Sequence, residues 1–313
     1  MMWLIAIAQT LLFVIAAPLF AGVMKWVKCQ LQNRIAPPIW QPYLNLNKLF
    51  RKEVLIATTT SQLFRIAPYV IFSITIFICA TVPLLITNTP TTAIADVIVI
   101  VGLFALARFF LTLAGMDTGT AFGGMGSSRE MLISAIAEPA LLMVFFAVAM
   151  TAMSTNLAVI INQLALHRLW LQPSLIFAAL GFILVSLAET GRIPVDNPAT
   201  HLELTMIHEA MILEYSGRYL ALIEWAAQIK FMLYAILFIN LFFPWGIVSD
   251  FSWFNIGLSI LALVIKLLLL MIILGMSEIS LAKLRLFRVP YLLNLAFVLG
   301  LLAVLIHIII EVG

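Results

Sequence analysis

The segment from residue 188 to residue 218 concentrates side chains that can bind and release protons. It carries five of the 14 acidic residues, two of the four histidines and two arginines. Histidine titrates near neutral pH, and carboxylates that lie close together raise one another's pKa. The segment therefore predicts reversible proton binding, and its carboxylates and histidines are Glu189, Asp196, His201, Glu203, His208, Glu209 and Glu214.

Metal binding by the same segment is the less favoured alternative. His201, Glu203 and His208 are residue types that ligate zinc. However, the run from His208 to Ile212 lacks the second histidine of the H-E-x-x-H motif of zinc proteases. Solvated residues at a membrane surface are the commoner outcome for such groups, so no metal site is predicted.

Five ionisable side chains fall inside apolar stretches: Arg108, Glu138, Glu224, Lys230 and Lys266. Ions within a membrane usually face the interior of a helix bundle, pair with one another and mark ion pathways. Glu224 and Lys230 lie about 240° apart around a helix, so each needs a partner on another segment. For Glu138 the alternative is a side chain that reaches the membrane surface. The predicted proton-relay residues are Glu138, Glu189, Glu203, Glu214, Glu224, Lys230 and Lys266.

Transmembrane helices must position these residues. Hydrophobic residues make up 64% of the 313 residues and charged residues only 10%, against about 25% charged in soluble domains. A helix needs about 20 apolar residues to cross a bilayer. Eight such segments predict an all-α, polytopic integral membrane protein with a single membrane domain. They lie near 2–24, 67–86, 97–114, 132–152, 175–187, 219–243, 254–275 and 290–310.

Basic residues orient the predicted bundle. Thirteen of the 17 lysine and arginine residues lie in the connections after the first, third, fifth and seventh segments, at 25–66, 115–131, 188–218 and 276–289. Only Arg168 lies in the other connections. Because lysine and arginine gather in cytoplasmic loops, these four connections are expected on the cytoplasmic side and both termini outside.

Three connections, at 25–66, 115–131 and 188–218, are candidates for docking a soluble partner. The stretch from Tyr43 to Lys52 has apolar and basic faces at helical spacing, which is typical of a helix lying in the membrane interface. Attraction to anionic lipid is the alternative. Residues 115–131 contain five glycines but no phosphate-loop motif, so close backbone packing is expected there. The predicted docking residues are Arg34, Lys48, Arg51, Lys52, Asp117, Arg129, Glu130, Arg192, Asp196, His201, His208 and Tyr215.

Redox chemistry is not expected within this chain. Its two cysteines, Cys29 and Cys79, lack the spacing of a cluster-binding or disulfide framework, and no nucleotide-binding motif is recognisable. No cofactor and no nucleic acid partner are therefore predicted for the chain. Any electron transfer is expected in a partner.

The order of motifs resembles subunit 1 of respiratory complex I (NADH dehydrogenase subunit 1) and its hydrogenase relatives over essentially the whole chain. The motifs are Arg34, Gln41-Pro42-Tyr43 through Lys48-Leu49-Phe50-Arg51-Lys52-Glu53, Ala188-Glu189-Thr190, Arg192, Pro194-Val195-Asp196 and Glu214-Tyr215-Ser216-Gly217. The runs Leu113–Gly119 and Gly126–Glu130 are most similar to the membrane subunit of formate hydrogenlyase and hydrogenase 4, which are group 4 membrane-bound nickel–iron hydrogenases.

The resemblance implies a non-catalytic membrane-arm subunit that anchors a cytoplasmic redox module and couples its electron transfer to proton or sodium translocation. The implied partners are hydrogenase-like large and small subunits, iron–sulfur subunits and antiporter-like membrane subunits, in a bacterial or archaeal cytoplasmic membrane. Those partners would hold the iron–sulfur clusters and the nickel–iron centre. Carried over by position, the family's acids match Glu189, Asp196, Glu203, Glu214 and Glu224, and its first-loop arginine matches Arg34.

Two other functions are the alternatives. The first is a quinone-cavity subunit of a complex I-like quinone oxidoreductase. Departures from the family pattern weaken it, since Ala199 and His201 stand where glutamates are usual and Asn45 stands where an aspartate is usual. The second is an independent ion-coupled transporter, but the internal repeats and paired broken helices of such transporters are not recognisable.

Overall fold

The computed structural model describes residues 2–167, 172–196, 206–248 and 253–311. Its α-helices are α1 (Met2–Leu31), α2 (Gln41–Arg51), α3 (Gln62–Thr81), α4 (Val97–Asp117), α5 (Ala121–Ala152), α6 (Leu157–His167), α7 (Pro173–Glu189), α8 (His208–Ile212), α9 (Gly217–Phe242), α10 (Trp253–Ser280) and α11 (Val289–Ile306). Short 3₁₀ turns span Pro90–Ile94 and Leu286–Arg288, and a π turn spans His307–Glu311.

Seven helices in the described part of the chain are long and apolar enough to cross a membrane. They are α1, α3, α4, α5, α9, α10 and the segment Leu286–Ile310, which contains α11. The apolar helix α7 is shorter, at 17 residues, and occupies the fifth predicted segment. The chain is therefore an all-helical, polytopic membrane protein over its described residues, as the sequence predicts.

Helix α5 begins earlier than the sequence predicts. The connection expected at 115–131 is reduced to a turn around Gly119, and the side chain of Thr120 caps α5 by accepting a hydrogen bond from Gly123 N (3.3 Å). Glycine is about 1 kcal/mol less favourable than alanine within a helix. Close packing nevertheless requires glycine at residue 126, because a Cβ there would lie 2.9 Å from the Ala210 Cβ. The glycines therefore pack closely from within a helix.

The segment between α7 and α9 differs from the expected single helix. The sequence predicts a helix from Asn197 toward Glu214, but residues 197–205 lie outside the described residues. In the described remainder, α8 spans only His208–Ile212. Asp196 accepts a hydrogen bond from Ile207 N (3.3 Å), and this contact holds the residue before α8 outside the helix. Ile207 lies before α8 and Glu214 lies after it, so neither residue belongs to the helix.

Aromatic and small side chains hold α7 inside the bundle. The fully buried Phe182 ring has its centroid 6.1 Å from that of Phe145 on α5 and 6.0 Å from that of Phe238 on α9. On the side facing α11, a Cβ on Gly181 would lie 3.1 Å from Ala296 O. Small residues permit such close helix contacts in membranes. The packing fixes the end of α7, where Glu189 lies.

Helix α2 occupies the stretch that the sequence predicts to be amphipathic. Tyr43 donates a hydrogen bond to Ile15 O, and Phe50 packs edge-on against Trp225 of α9 with ring centroids 6.4 Å apart. Lys48 and Arg51 are exposed. The helix therefore contacts the bundle through aromatic side chains and leaves its basic side chains accessible.

Candidate functional site

Three membrane helices meet at Glu189, the last residue of α7. Its Oε2 accepts a hydrogen bond from Arg108 Nη2 of α4 and lies 3.0 Å from Lys230 Nζ of α9. The side chains of Glu189 and Arg108 are 1% and 4% exposed. A buried ion costs several kcal/mol unless it is paired and hydrogen-bonded. The two cations therefore stabilise a carboxylate that the bundle has removed from solvent.

Two carboxylates of α5 complete the group. Glu130 Oε1 lies 3.5 Å from Arg108 Nε, Glu138 Oε1 lies 3.7 Å from Arg108 Nη1, and Ser134 donates a hydrogen bond to Glu138. With every member ionised, two cations and three carboxylates carry a net charge of −1, so one added proton makes the group neutral. We define the internal charge cluster as Arg108, Glu130, Glu138, Glu189 and Lys230.

A cavity of about 380 Å³ lies beside the internal charge cluster. Four cluster residues line it, together with other acids: Arg108, Glu130, Glu189, Lys230, Glu209 and Glu224. Water occupies cavities that are roomy enough and offer polar partners. Arg108 Nη1 and Glu189 Oε1 are buried and make no hydrogen bond to a described residue, so both have capacity for such water. The cavity thus places space for water beside the cluster.

The remaining predicted histidines and acids are only partly brought to this cavity. His208 lines it, Glu214 is exposed between α8 and α9, and His201 and Glu203 lie outside the described residues. Within the described ranges, no group of three His, Cys, Asp or Glu side chains is placed to hold a metal ion.

Lys266 of α10 lies apart from the cluster. Its ammonium donates hydrogen bonds to Phe243 O (2.7 Å) and Trp245 O, and it lies 4.5 Å from the centroid of the Trp245 ring. A lysine is favourable there because the last carbonyls of a helix lack intrahelical partners. Lys230 is about 20 Å along α9 from Phe243 at 1.5 Å per residue. The two predicted relay lysines therefore sit at different depths.

A second charged group joins α1, α10 and the turn after α7. Glu278 of α10 lies 2.8 Å from Lys28 Nζ and 2.6 Å from Arg192 Nη1. The guanidinium carbon of Arg192 lies 3.6 Å from the ring centroid of Phe231 on α9. We call Lys28, Arg192 and Glu278 the ionic latch. Local spacing in the sequence does not indicate this pairing, because Arg192 and Glu278 lie 86 residues apart.

The Tyr215-Ser216-Gly217 motif fixes part of the first connection. The Tyr215 ring stacks on Phe64 with centroids 3.8 Å apart, and its hydroxyl donates a hydrogen bond to Phe64 O (2.9 Å). Burial raises the pKa of Tyr215, so this hydroxyl remains a donor at neutral pH. Ser216 Oγ lies 2.8 Å from both Leu55 N and Leu55 O. We call residues 52–61, which these contacts hold, the strap.

Asp117 and Gly217 complete the attachment of the strap. Asp117 Oδ2 accepts a hydrogen bond from Ser61 N (2.8 Å) at the start of α3. Gly217 has a φ of +55°, and a Cβ there would lie 2.8 Å from Glu53 O. Asp117 and Tyr215 thus have partners within the chain, and their predicted role in docking remains a prediction.

The other predicted docking residues fall into two groups. Internal contacts occupy Arg129, which donates a hydrogen bond to Met206 O (2.8 Å), and Asp196, which lies 2.7 Å from Lys283 Nζ. The basic residues of the first connection are exposed: Arg34, Lys48, Arg51 and Lys52. Among the predicted docking residues that the structure describes, these four are fully in the exposed class.

A multi-pass helical bundle that encloses a charge cluster beside a cavity defines a membrane protein with an internal ion network. The chain belongs to the NADH dehydrogenase family, whose sequence profile matches residues 3–310. This confirms the family resemblance seen in the sequence.

The chain is similar to two membrane-complex subunits of Escherichia coli (strain K12). It is 33% identical to hydrogenase-4 component C over 299 residues, which cover 95% of this chain and 93% of that protein. It is 29% identical to formate hydrogenlyase subunit 4 over 282 residues, which cover 90% and 91% of the two chains. Both relatives are matched over nearly their full length.

The fold is also similar to a chain of the membrane-bound sulfane sulfur reductase, an archaeal respiratory membrane complex. The TM-score is 0.82 at 18% sequence identity, and the match covers 97% of this chain and 99% of that chain. At this identity the likeness shows a shared fold.

Proposed function

We propose that this chain is the membrane-arm subunit of a complex I-like group 4 hydrogenase complex. It anchors a cytoplasmic redox module and couples that module's electron transfer to proton or sodium translocation, without being catalytic itself. The hydrogenase-4 and formate hydrogenlyase relatives support this class of complex. The observation that supports coupling is Glu189, a buried carboxylate shared by two cations beside a cavity.

In the proposed coupling step, Glu189 and Glu138 compete for Arg108. Arg108 Nη2 contacts Glu189, while Arg108 Nη1 lies only 3.7 Å from Glu138. A proton that reaches Glu189 from the cavity removes the negative charge that holds Arg108 and Lys230. Arg108 then turns toward Glu138, whose side chain is 32% exposed. The change of charge thereby passes from the cavity to the outer face of α5.

Other acids extend this relay in the proposal. Glu224 lines the cavity, and Glu214 is exposed next to the strap. We place both between the redox module and Glu189, where they would exchange protons with the cavity water. Glu203 lies outside the described residues, and its relay role is proposed from the sequence alone.

The proposed partners follow from the accessible surfaces and the family. Hydrogenase-like large and small subunits and iron–sulfur subunits would contact the exposed basic residues of α2 and its flanks. Antiporter-like membrane subunits would pack against the helices. Iron–sulfur clusters and the nickel–iron centre would belong to these partners. The relatives support a bacterial or archaeal cytoplasmic membrane, and the distribution of lysine and arginine supports an orientation with both termini outside.

Purification of the tagged chain from native membranes tests this proposal. We expect hydrogenase-like subunits and antiporter-like subunits to co-purify in fixed ratios, identified by mass spectrometry. Recovery of the chain alone, with ion transport activity after reconstitution, would instead support an independent transporter. A Gly217→Ala chain provides a matched sample in which the membrane subunit is present but the soluble subunits should be lost.

The two intramembrane lysines make a matched pair of substitutions. Lys230→Gln removes a cation that lies 3.0 Å from Glu189 Oε2, so we expect coupled proton translocation to fall about tenfold, the effect of about 1.4 kcal/mol. Lys266→Gln removes hydrogen bonds to Phe243 O and Trp245 O, so we expect lower thermal stability with coupling retained. Proton uptake per turnover in membrane vesicles gives the first quantity. Equal loss of coupling in both variants would place Lys266 in the relay.

A quinone-binding cavity is the second candidate function, and the size of the cavity favours it. Apolar residues, among them Ile71, Phe104 and Ile223, line the cavity beside its charged groups. This mixture suits a bound ring with polar substituents. A photoreactive quinone that labels cavity residues, and that excess quinone displaces, would support this candidate. Coupled activity without labelling would exclude it.

A further inference from the structure

A second, smaller crevice lies next to the cavity beside the internal charge cluster. This crevice lies between α7, α9 and α10, and its walls include Ile183, Phe238, Leu270 and Leu274. These four apolar side chains are partly exposed, so the crevice opens on the outer surface of the bundle. In a bilayer this surface faces acyl chains. The crevice therefore leads from lipid toward the charged interior.

Three residues separate the crevice from the cavity. Thr190, Arg192 and Phe231 line both spaces, and we call them the partition. Because the Arg192 side chain is charged, its position in the partition depends on the groups that it contacts. Glu278 lies 2.6 Å from its Nη1, and the Phe231 ring lies beneath its guanidinium group. Planar guanidinium groups suit this combination of a carboxylate pair and ring stacking.

The helix that supplies Glu278 faces mostly outward from the bundle. Only 22% of the most apolar part of α10 is buried, against 67% for α9. Near the end of α10, Gly275 packs beside Leu31 of α1 and Glu278 pairs with Lys28. Glu278 itself is 4% exposed. The ionic latch thus joins the end of an outward-facing helix to Arg192 of the partition.

We infer that Glu278 is a positioning residue that holds Arg192 across the partition and so keeps membrane amphiphiles out of the cavity. The occupants to be excluded are lipid or detergent chains, which reach the crevice from the bilayer. An apolar chain in the cavity would leave Arg108 Nη1 and Glu189 Oε1 without room for a water partner. Loss of the latch would therefore open the charge cluster to lipid without changing any residue of the cluster.

Two alanines of α9 serve as reporters on opposite sides of the partition. Ala227 lines the cavity and Ala235 lines the crevice. Each is replaced by cysteine in a chain that also carries Cys29→Ser and Cys79→Ala, within the assembled complex in its membrane. The probe is pyrene maleimide, which dissolves in the bilayer, and the rate of labelling is measured. This readout reports access alone, so it does not depend on the proposed hydrogenase function.

With the latch intact, each reporter has its own reference rate, because Ala235 is 5% exposed and Ala227 is partly exposed. Glu278→Gln should accelerate labelling of Ala227→Cys about tenfold, the shift produced by losing a charge-assisted hydrogen bond, and should leave Ala235→Cys unchanged. Unchanged labelling of Ala227→Cys in the Glu278→Gln chain would overturn the proposal. A comparable acceleration at both reporters would also overturn it, because general loosening of α9 would then explain the result.

A double-substitution cycle shows whether Glu278 acts through Arg192. If it does, Glu278→Gln, Arg192→Gln and the chain with both substitutions should label Ala227→Cys at the same rate. Rates that multiply in the double variant would overturn the positioning role. Should Glu278→Gln lower the amount of complex, Arg192→Gln alone still tests the partition, since Glu278 keeps its contact with Lys28. Slow labelling of Ala227→Cys in the Arg192→Gln chain would overturn it.

Discussion

Replacing Glu189 by glutamine is expected to lower the amount of subunit in the membrane and to abolish coupled proton translocation. The amide keeps the shape of the side chain but removes the charge shared by Arg108 and Lys230. Breaking a buried ion pair by removing one partner costs about 3–5 kcal/mol, because the other charge stays buried. Glu130 and Glu138 remain 3.5 and 3.7 Å from the Arg108 nitrogens, but among the described residues only Glu189 pairs with the Lys230 ammonium, which therefore loses its carboxylate partner.

The measurements are immunoblots of membranes and proton uptake by vesicles during turnover. A second substitution separates folding from coupling. Lys230→Met in the Glu189→Gln chain removes the cation that lost its carboxylate partner, so we expect recovery of the subunit level without recovery of coupling. Glu53→Gln, at an exposed acid of the strap, is the matched control and should behave as the unmodified chain. Normal level and coupling in the Glu189→Gln chain would show that the internal charge cluster is not the coupling site.

Gly217→Ala is expected to release the strap and the soluble partners with it. A left-handed conformation costs an L residue about 1–2 kcal/mol. The new Cβ would also lie 2.8 Å from Glu53 O and 2.9 Å from Lys52 O, so the strap backbone must move away. We expect faster trypsin cleavage after Arg51 and Lys52 in membranes stripped of partners. We also expect loss of co-purifying hydrogenase-like subunits from the complex.

Gly119→Ala is the matched control for this prediction. Gly119 has a φ of +68°, so the backbone cost is similar, but a Cβ there meets no atom within 4 Å. Its strap should stay protected from trypsin and its partners should remain bound. If both alanine variants lose the partners equally, the cost lies in the backbone conformation and the strap is not the docking element. If neither loses them, the strap does not contribute to docking.

The helices were predictable because a membrane helix depends on a local property. An apolar run of about 20 residues is enough by itself to predict a membrane helix. Helices α1, α3, α4 and α9 all occupy predicted runs. The limits were less predictable, since α5 extends to Ala121 through a stretch rich in glycine. Gly126 of this stretch packs against α8. The local sequence does not indicate which residues of another segment lie against it.

The membership of the charge cluster was partly predictable. The cost of an isolated ion in a membrane indicated that Arg108 and Lys230 require partners, but it did not identify them. Helical spacing relates residues on one helix, whereas Glu189 joins α4, α7 and α9. The same reason explains Lys266, whose partners are backbone carbonyls of Phe243 and Trp245. Carbonyl oxygens occur at every position, so residue types alone cannot reveal such a site.

The partial exposure of Glu138 has a consequence for how the protein must be handled. Its carboxylate lies in a helix long enough to cross a membrane, yet 32% of its side chain reaches the outside of the bundle. Hydrocarbon solvates such a group poorly. The molecule that lies against that face of α5 therefore affects how strongly Glu138 attracts Arg108. Detergent, lipid or a neighbouring subunit will each set a different balance between Glu138 and Glu189, and titrations of the isolated chain will depend on the choice.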